Sequence, residues 1–336
     1  MPSTKPLVLV TGGAGYIGSH AVLALRDSGY PVIVLDDLSN GTREAIPADV
    51  ELVVGDVGDR SVTDPLLRDK GVGAIMHFAG SIVVPESVTD PIKYYSNNSA
   101  ASLSLIRSAI EAGVPHLVFS STAAVYGAAE RVPIVESDPL LPINPYGASK
   151  LMTERMLADI APATPGFSYA ALRYFNVAGA DPQGRSGQRG KGATHLLKVA
   201  CEAAVGKRDK VQVFGTDYPT PDGTCIRDYI HVADLADAHV AVLEALLADP
   251  ATSRIHNCGY GKGFSVLEML DALDRVNGTP VPREMGPRRA GDPPQLVADS
   301  SGLQSQTSWR PKRNDVEQII ADALRWEKKL LEESQA

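Results

Sequence analysis

Two side chains that could transfer a proton together, Tyr146 and Lys150, stand four residues apart in the amphipathic stretch from Ile143 to Leu157. Residues at this spacing lie on one face of a helix, about one turn from each other. A phenol becomes a useful base near neutrality when its pKa falls from about 10 to about 7, which needs about 4 kcal/mol of preference for the phenolate. A lysine ammonium one turn away supplies part of that preference. The pair therefore indicates a proton-transfer device, and the alternative is a packed tyrosine near a surface cation.

Hydroxyl side chains end a predicted strand shortly before this helix. The run "VPHLVFSST" finishes in Ser120, Ser121 and Thr122. In open parallel sheets, ligands bind at the carboxyl ends of the strands. We expect the helix to bring the phenol of Tyr146 to this edge. There the hydroxyl of Thr122 or Ser121 would bind a substrate oxygen whose charge changes during the reaction.

A glycine-rich turn, "TGGAGYIGSH", follows the first predicted strand and opens the first predicted helix. Gly13, Gly15 and Gly18 fit the pattern G-x-G-x-x-G, and Gly12 begins a wider G-x-x-G-x-x-G. Glycines there permit a tight turn and let the backbone approach a pyrophosphate, which the helix N-terminus then binds. Because the motif stands between a strand and a helix, it predicts a dinucleotide site.

Acidic residues end the second and third predicted strands. Asp36 lies about 20 residues beyond the glycine turn, where a carboxylate binds the adenosine ribose and repels a 2′-phosphate. The predicted cofactor is therefore NAD rather than NADP, and the alternative is that Asp36 and Asp37 only begin a turn. Asp56 could contact the adenine or cap a helix, and both interpretations stay open.

The composition disfavours several classes of protein. The chain has 336 residues, of which 44% are apolar, and a formal net charge of −8. These values predict packed domains and disfavour a nucleic-acid partner. The chain shows no signal peptide and no apolar run long enough for a membrane span, so we expect a cytoplasmic protein. Cys201, Cys225 and Cys258 are widely spaced and predict reduced thiols, and no metal site is expected.

Apolar strands alternate with helical segments through the first half of the chain. The predicted strands are "PLVLVTGG", "YPVIVLDD", "VELVVGD", "GVGAIMHFAG" and "VPHLVFSS". The predicted helices include Tyr16–Ser28, Pro91–Ala112 and Tyr146–Ala161. Continuous apolar strands between helices favour a parallel sheet covered on both faces. We therefore predict an α/β fold with a Rossmann-type, doubly wound parallel sheet.

The second half of the chain is less regular. "YPTPDGTCIRDYIHV" is predicted to be a long connection, and helices are predicted near Gly192–Gly206 and at Asp234–Ala248. We assign residues 1–176 to an NAD-binding domain, with later segments near 228–260 returning to it. Residues 177–227 and 261–336 are assigned to a smaller, mixed α/β substrate domain.

A series of motifs identifies a family resemblance. In chain order they are "VTGGAGYIGSH", "HFAG", "YYSNN", "FSSTAAVYG", "PYGASK", "LRYFNVAGA", "VFGTDYPTPDGTCIRDYIHVADLADAH" and "PRRAGD". Together they closely resemble the UDP-glucose (UDP-galactose) 4-epimerases of the extended short-chain dehydrogenase/reductase family. The resemblance spans nearly the whole chain.

The resemblance implies a reaction. Bound NAD⁺ would take hydride from C4 of the hexose while Tyr146 removes the O4 proton, assisted by the positive nicotinamide ring. The 4-keto sugar would turn over in the pocket, and the hydride would return to its other face. The resemblance also implies a homodimer, for which the segment from Asp90 to Gly113 is one candidate face.

The resemblance further implies roles for individual residues. Catalysis would fall to Thr122, Tyr146 and Lys150. Cofactor contacts would come from Gly12, Gly15, Tyr16, Ile17, Asp36, Asp56, Phe78, Ala79, Asn97, Ser120, Tyr146, Lys150 and Tyr174. The UDP-sugar would contact Thr122, Asn176, His195, Phe214, Arg227, Arg289, Asp292 and Leu296. Two of these, Arg227 and Arg289, can neutralise a pyrophosphate, and the alternative for Arg227 is a local surface ion pair with Asp228.

Three positions depart from the family pattern and concern the substrate. Ile82 stands where many members have lysine, His195 where many have asparagine, and Leu296 where a tyrosine often closes the sugar pocket. Leucine is smaller than tyrosine, so we expect the pocket also to accept UDP-GlcNAc, UDP-GalNAc or UDP-pentoses.

Other functions remain as alternatives. A sugar-nucleotide 4,6-dehydratase would need an Asp-Glu pair where this chain has Ala123 and Ala124, which cannot move a proton. A UDP-glucuronate epimerase or decarboxylase would need additional donors for the sugar carboxylate. A non-catalytic NAD-binding protein on the same fold would not require the tyrosine and lysine pair.

Overall fold

A seven-stranded sheet forms the centre of the computed structural model, which describes residues 5–190, 193–289 and 292–335. Its strands are β1 (Leu7–Thr11), β2 (Val32–Asp36), β3 (Glu51–Val54), β4 (Val72–His77), β5 (His116–Thr122), β6 (Ser168–Tyr174) and β10 (Arg254–Cys258). Their order across the sheet is β3-β2-β1-β4-β5-β6-β10, and every neighbouring pair is parallel. The predicted Rossmann-type, doubly wound sheet is confirmed.

Helices cover both faces of this sheet. They are α1 (Tyr16–Asp27), α2 (Arg60–Lys70), α5 (Ala101–Glu111), α6 (Pro145–Ala163) and α8 (Val232–Ala248). Two short helices, α3 (Val84–Thr89) and α4 (Pro91–Tyr94), pack against α6, and short 3₁₀ turns lie at Arg43–Ala45 and Ala123–Val125. One apolar core joins α1 and α8 to the sheet, and a second joins α2, α5 and α6 to its other face. The two cores explain why the strand sequences are apolar throughout.

The predicted helix Pro91–Ala112 is interrupted. A π-helical turn at Tyr95–Ala100 separates α4 from α5. The carbonyl of Asn98 accepts hydrogen bonds from the hydroxyls of Ser102 and Thr153. These hydroxyls satisfy a backbone group that the wider turn displaces, a local adjustment that the apolar pattern does not reveal.

A smaller α/β region follows. Its strands are β7 (Asn176–Ala178), β8 (Val211–Phe214), β9 (Ile226–His231), β11 (Gly263–Ser265), β12 (Arg283–Gly286) and β13 (Gln295–Leu296). Its helices are α7 (Leu196–Ala204), α9 (Val266–Asn277) and α11 (Val316–Gln335), whereas α10 (Ser301–Gln306) packs Leu303 into the core that α1 and α8 share with the main sheet. β9 pairs with β7, β11 and β13, whereas β8 pairs with β12. α7, α9 and α11 share an apolar core of their own.

The prediction of a long connection before His231 is wrong, because that segment contains β9. Prolines and glycines between Pro219 and Gly223 break the pattern just ahead of a strand whose side chains are mostly buried. Within the segment 228–260, α8 and β10 lie with the main sheet, whereas β9 lies in the second sheet. The predicted helix near Gly192–Gly206 begins at Leu196, and its first residue lies outside the described residues.

The described residues contain neither a membrane-spanning helix nor a cluster of metal ligands. None of their helices has both the length and the apolar character needed to cross a bilayer. Their His, Cys, Asp and Glu side chains form no group of three able to hold a metal ion. Cys201, Cys225 and Cys258 are buried free thiols.

Candidate active site

A cavity of about 890 Å³ opens at the carboxyl edge of the main sheet. Residues that directly follow β1, β3 and β4 line it, together with the ends of β2, β5 and β6. Most of the predicted site residues line it: Gly12, Gly15, Tyr16, Ile17, Asp36, Asp56, Phe78, Ala79, Asn97, Ser120, Thr122, Tyr146, Lys150, Tyr174, Asn176, His195, Arg227, Asp292 and Leu296. The fold therefore brings segments distant in sequence to one concave site.

The glycine turn fits a dinucleotide. Gly12 has a left-handed φ of +69°, and a Cβ there would lie 2.5 Å from the amide nitrogen of Ala79. A Cβ on Gly18 would lie 2.1 Å from the carbonyl oxygen of Gly12. The N-terminus of α1 carries no side-chain cap at Gly15, and it borders the cavity. Its free N–H groups suit a phosphate, so the residues present match the cofactor that the motif predicts.

Asp36 stabilises the glycine turn through hydrogen bonds to the backbone. Its carboxylate accepts hydrogen bonds from the amides of Ala14 (2.9 Å) and Leu38 (2.9 Å). Burial raises the pKa of Asp36 above its usual value, and the two amide donors work against that rise. The residue thus shapes the glycine turn and the loop after β2 while it lines the cavity.

Asp56 also borders the cavity, but it is not the cap of the next helix. Its carboxylate accepts a hydrogen bond from the amide of Gly58 at 2.7 Å. The cap of α2 is Asp59, which accepts from the amide of Ser61 at 2.8 Å. The helix-cap interpretation of Asp56 is therefore wrong.

Tyr146 and Lys150 are both buried on α6, so the alternative of a surface lysine is wrong. α6 begins after Asn144, whose side chain accepts a hydrogen bond from the amide of Gly147 at 2.9 Å. Tyr146 lies one residue into the first turn and is 9% exposed. The ammonium of Lys150 donates to the carbonyl oxygen of Ser120 at 3.0 Å, which fixes it at the end of β5.

Burial acts on both groups. It lowers the pKa of Lys150 to about 8, so the ammonium is still mostly protonated at neutral pH. It raises the pKa of Tyr146, whereas the hydroxyl of Thr122 works to lower it. The protein interior therefore opposes ionisation of the phenol. The expected fall of the tyrosine pKa toward 7 is not found, because the raising effect of burial is the larger one.

The structure distinguishes the three hydroxyls at the end of β5. Thr122 lines the cavity, whereas Ser121 is fully buried and donates to the carboxylate of Glu154. Ser120 lines the cavity as well, and its hydroxyl shares a hydrogen bond with the phenol of Tyr174. Successive side chains of a strand point to opposite faces, so Thr122 is the hydroxyl available beside Tyr146.

The predicted sugar-nucleotide residues divide into two groups. Arg227 lines the cavity with a guanidinium nitrogen 3.7 Å from the carboxylate of Asp292. Its neighbour Asp228 is buried and accepts from the amides of Tyr260 and Gly261 at 2.9 Å, so the surface-pair interpretation is wrong. Phe214 and Arg289 do not line the cavity. Instead, the guanidinium of Arg289 lies 3.8 Å from the centre of the Phe214 ring.

Some residues that line the cavity were not predicted from the sequence. Ser81 accepts a hydrogen bond from the side-chain amide of Asn97 at 2.9 Å, and it follows β4 closely enough for the strand-end rule to have found it. Gln188 lies 3.1 Å from Nδ1 of His195 across the loop before α7. Gln188 belongs to a Gly/Gln/Arg-rich segment that carries no signal of its own.

Comparison with known proteins agrees with this geometry. The model of the NAD dependent epimerase/dehydratase family matches residues 8–259. The UDP-glucose 4-epimerase of Azospirillum brasilense is 58% identical over 98% of this chain and 94% of its own length. The crystal structure of UDP-glucose-4-epimerase from Stenotrophomonas maltophila, with bound NAD and formylated UDP-arabinopyranose, has a TM-score of 0.94 and 37% identity. That comparison covers 98% of this chain and 99% of the other. The UDP-Glc/GlcNAc 4-epimerase of Campylobacter jejuni has a TM-score of 0.84 and 46% identity, over 96% of this chain and 99% of its own.

The chain belongs to the NAD dependent epimerase/dehydratase family. Within that family, the predicted resemblance to the UDP-glucose 4-epimerases is confirmed, as are an epimerase activity and NAD as the cofactor. These relatives do not favour a UDP-glucuronate enzyme or a non-catalytic protein. Ala123 and Ala124 lie in the cavity wall, where a dehydratase would need acidic side chains.

Proposed function

We propose that this protein catalyses the 4-epimerisation of UDP-hexoses and interconverts UDP-glucose and UDP-galactose. The main support for this proposal is that one cavity is lined by the glycine turn together with Thr122, Tyr146 and Lys150. Relatives named UDP-glucose 4-epimerase match nearly the whole chain, so both of its regions are included in the proposal.

The proposal divides the two ligands between the two regions. Residues 1–176, with α8 and β10 of the segment 228–260, would hold NAD, and residues 177–227 and 261–336 would hold the sugar nucleotide. Gly12, Gly15 and the N-terminus of α1 would bind the pyrophosphate, and Asp36 the adenosine ribose. When bound, NAD⁺ would supply a reversible hydride acceptor for C4 of the sugar.

The side chains of the protein move the proton. The phenol oxygen of Tyr146 would accept the proton of the sugar O4 and later give it back. The hydroxyl of Thr122 would donate a hydrogen bond to O4 as negative charge develops there. Lys150, held at Ser120 and mostly protonated below pH 8, would favour the phenolate. Because burial raises the pKa of Tyr146, the proton leaves this phenol only with electrostatic help.

The wall around Leu296 supports a wide sugar specificity. Leu296 lies in β13 beside Arg227 of β9, so it places an aliphatic side chain next to a candidate diphosphate contact. One structural neighbour is described with a UDP-pentose derivative, and another acts on UDP-GlcNAc as well as UDP-Glc. We therefore extend the proposal to UDP-GlcNAc, UDP-GalNAc and UDP-pentoses. Turnover of these below about a thousandth of that of UDP-galactose would contradict this extension.

The proposal includes a homodimer formed through α4, α5 and α6. Large apolar side chains stand exposed on these elements: Ile92 (77%), Leu103 (45%) and Met152 (44%). A second copy of the chain would cover them. The three buried free thiols suit a reducing compartment, and we place the enzyme in the cytoplasm.

A coupled assay tests the proposed function. Purified protein is incubated with UDP-galactose without added NAD and is then heat-inactivated. The UDP-glucose formed is measured in a second step, in which a UDP-glucose-specific dehydrogenase and its own NAD⁺ are added. UDP-GalNAc and a UDP-pentose are followed in parallel by chromatography. Turnover of UDP-galactose is the expected result. Protein that retains NAD but converts none of these sugars would contradict the proposal.

A further inference from the structure

A buried ion pair lies beside the candidate active site without touching the cavity. Arg173 of β6 and Glu154 of α6 are each 3% exposed. Nη2 of Arg173 donates to Oε2 of Glu154 at 2.7 Å, and Nε donates to Oε1 at 3.0 Å. Neither residue lines the cavity, so neither can contact a substrate there.

Hydrogen bonds connect this ion pair to several other parts of the fold. Ser121 of β5 donates its hydroxyl to Oε1 of Glu154. Nη1 of Arg173 donates to the phenol oxygen of Tyr126 at 2.9 Å, and that phenol donates to the side chain of Asn257 in β10 at 2.7 Å. One polar network therefore ties α6 to β5, β6 and β10.

The network fixes the helix that carries the catalytic pair. Tyr146, Lys150 and Glu154 follow one another at intervals of four residues, so they lie along one face of α6. Lys150 bonds to the carbonyl of Ser120, and Glu154 accepts from the hydroxyl of Ser121. Two successive turns of the helix are thus attached to two successive residues of β5, and the next residue of the strand is Thr122. A rotation or slide of α6 would have to break these attachments.

Stability alone gives little reason for such a pair. Apolar residues of similar volume often stabilise a core as well as a buried ion pair does, because burying the charges costs nearly as much as their attraction returns. The pair does fix the orientation of α6 relative to β6, because the guanidinium and the carboxylate are joined by two hydrogen bonds in a defined geometry. A proton transfer needs such precision, because a displacement of about 1 Å can cost as much as 10²-fold in rate.

We infer that Ser121, Glu154 and Arg173 are positioning residues that hold the phenol of Tyr146 against the hydroxyl of Thr122. The inference rests on the proposed function, because it assigns these residues to the same proton transfer. The catalytic residues remain Tyr146, Lys150 and Thr122, and the positioning residues act through them.

The variant Ser121→Ala tests this role with little risk to folding, since it removes one oxygen and leaves the ion pair in place. We expect kcat for UDP-galactose to fall about 10- to 100-fold. We expect KM and retained NAD to stay close to the wild-type values and Tm to fall by no more than a few degrees. The pH dependence of kcat should also shift, because the environment of the phenol changes, and a merely structural role would not move it.

A matched control removes another buried hydroxyl from the same sheet. Ser168→Ala deletes a hydrogen bond to His116 at the opposite, amino-terminal end of β6. We expect it to leave kcat within about twofold of wild type. A second variant, Glu154→Gln with Arg173→Gln, removes both charges together, and we expect the same loss of kcat as in Ser121→Ala.

The outcomes separate the two proposals. An active wild type with kcat unchanged in Ser121→Ala or in the double variant would overturn the positioning role and leave the proposed function intact. An equal loss of kcat in Ser168→Ala would also overturn it. A wild type that retains NAD but turns over no UDP-sugar would overturn both.

Discussion

Replacing Lys150 by methionine should stabilise the cofactor-free protein while it abolishes activity. The ammonium is buried, and burial lowers its pKa from the ordinary 10.5 to about 8. That difference corresponds to a cost of about 3 kcal/mol for holding the charged lysine in the folded protein. The variant loses the hydrogen bond from the ammonium to the carbonyl of Ser120. This loss reduces the gain in the free energy of unfolding by about 1 kcal/mol. The net gain is about 2 kcal/mol, or a few degrees in Tm.

The gain has a defined pH dependence. The folded-state pKa of Lys150 lies below its unfolded value, so the cost of the charge is fully present below pH 8. It disappears as the pH rises from about 8 toward 10.5, because the folded lysine loses its proton first. The Tm advantage of Lys150→Met should therefore be largest near pH 7 and shrink above pH 8. Thermal unfolding of NAD-free wild type and variant between pH 6.5 and 10 measures this difference.

Lys198 provides a control of opposite sign. It is also buried, but its ammonium is paired with the carboxylate of Glu327 and lies 3.5 Å from that of Glu202. Lys198→Met would leave a buried carboxylate with less compensation, so it should lower Tm at pH 7. A Lys150→Met variant that is less stable than wild type at pH 7, or whose advantage does not shrink above pH 8, would refute the reasoning.

Three further predictions concern activity and assembly. Tyr146→Phe keeps the ring packed against Tyr94. It should reduce turnover of UDP-galactose by about 10²- to 10⁴-fold while the protein still retains NAD. Turnover within tenfold of wild type would contradict the role of Tyr146 as the base. Leu296→Tyr should lower kcat/KM for UDP-GalNAc at least tenfold more than for UDP-galactose, and parallel losses on both substrates would count against a role in sugar size. Ile92→Glu should shift the protein from dimer to monomer in light scattering with its circular dichroism unchanged, and a wild type that is already monomeric would rule out the proposed interface.

Local sequence patterns predicted the parts of the fold that depend on few residues. The glycine turn, Asp36 at the end of β2 and the spacing of Tyr146 and Lys150 all express short-range geometry. The left-handed φ of Gly12, the close approach of Gly18 to the carbonyl of Gly12 and the placing of two side chains on one helical face are all set within a few residues. Apolar runs that alternate with helices predicted the parallel sheet for the same reason.

Other features depend on packing between distant segments, and the sequence could not supply them. β9 lies directly after a proline- and glycine-rich stretch, and it becomes a strand because β7, β11 and β13 pair with it. In the π-helical turn at Tyr95–Ala100, the carbonyl of Asn98 accepts a hydrogen bond from the hydroxyl of Thr153 on a different helix. Strand pairing and hydrogen bonds of this kind involve residues far away in the sequence, so a short stretch of sequence cannot predict them.

The chemistry of the site shows the same division. The sequence determined that a phenol, an ammonium and a hydroxyl would meet at the end of β5, because strand ends and helix faces follow from local periodicity. Only the tertiary structure decided that Thr122 rather than Ser121 faces the cavity, since Glu154 binds the hydroxyl of Ser121. The structure also decided that burial is the main cause of the pKa shifts of Tyr146 and Lys150. Burial is set by all the segments packed around a group, so the sign of its effect appears only once the chain is folded.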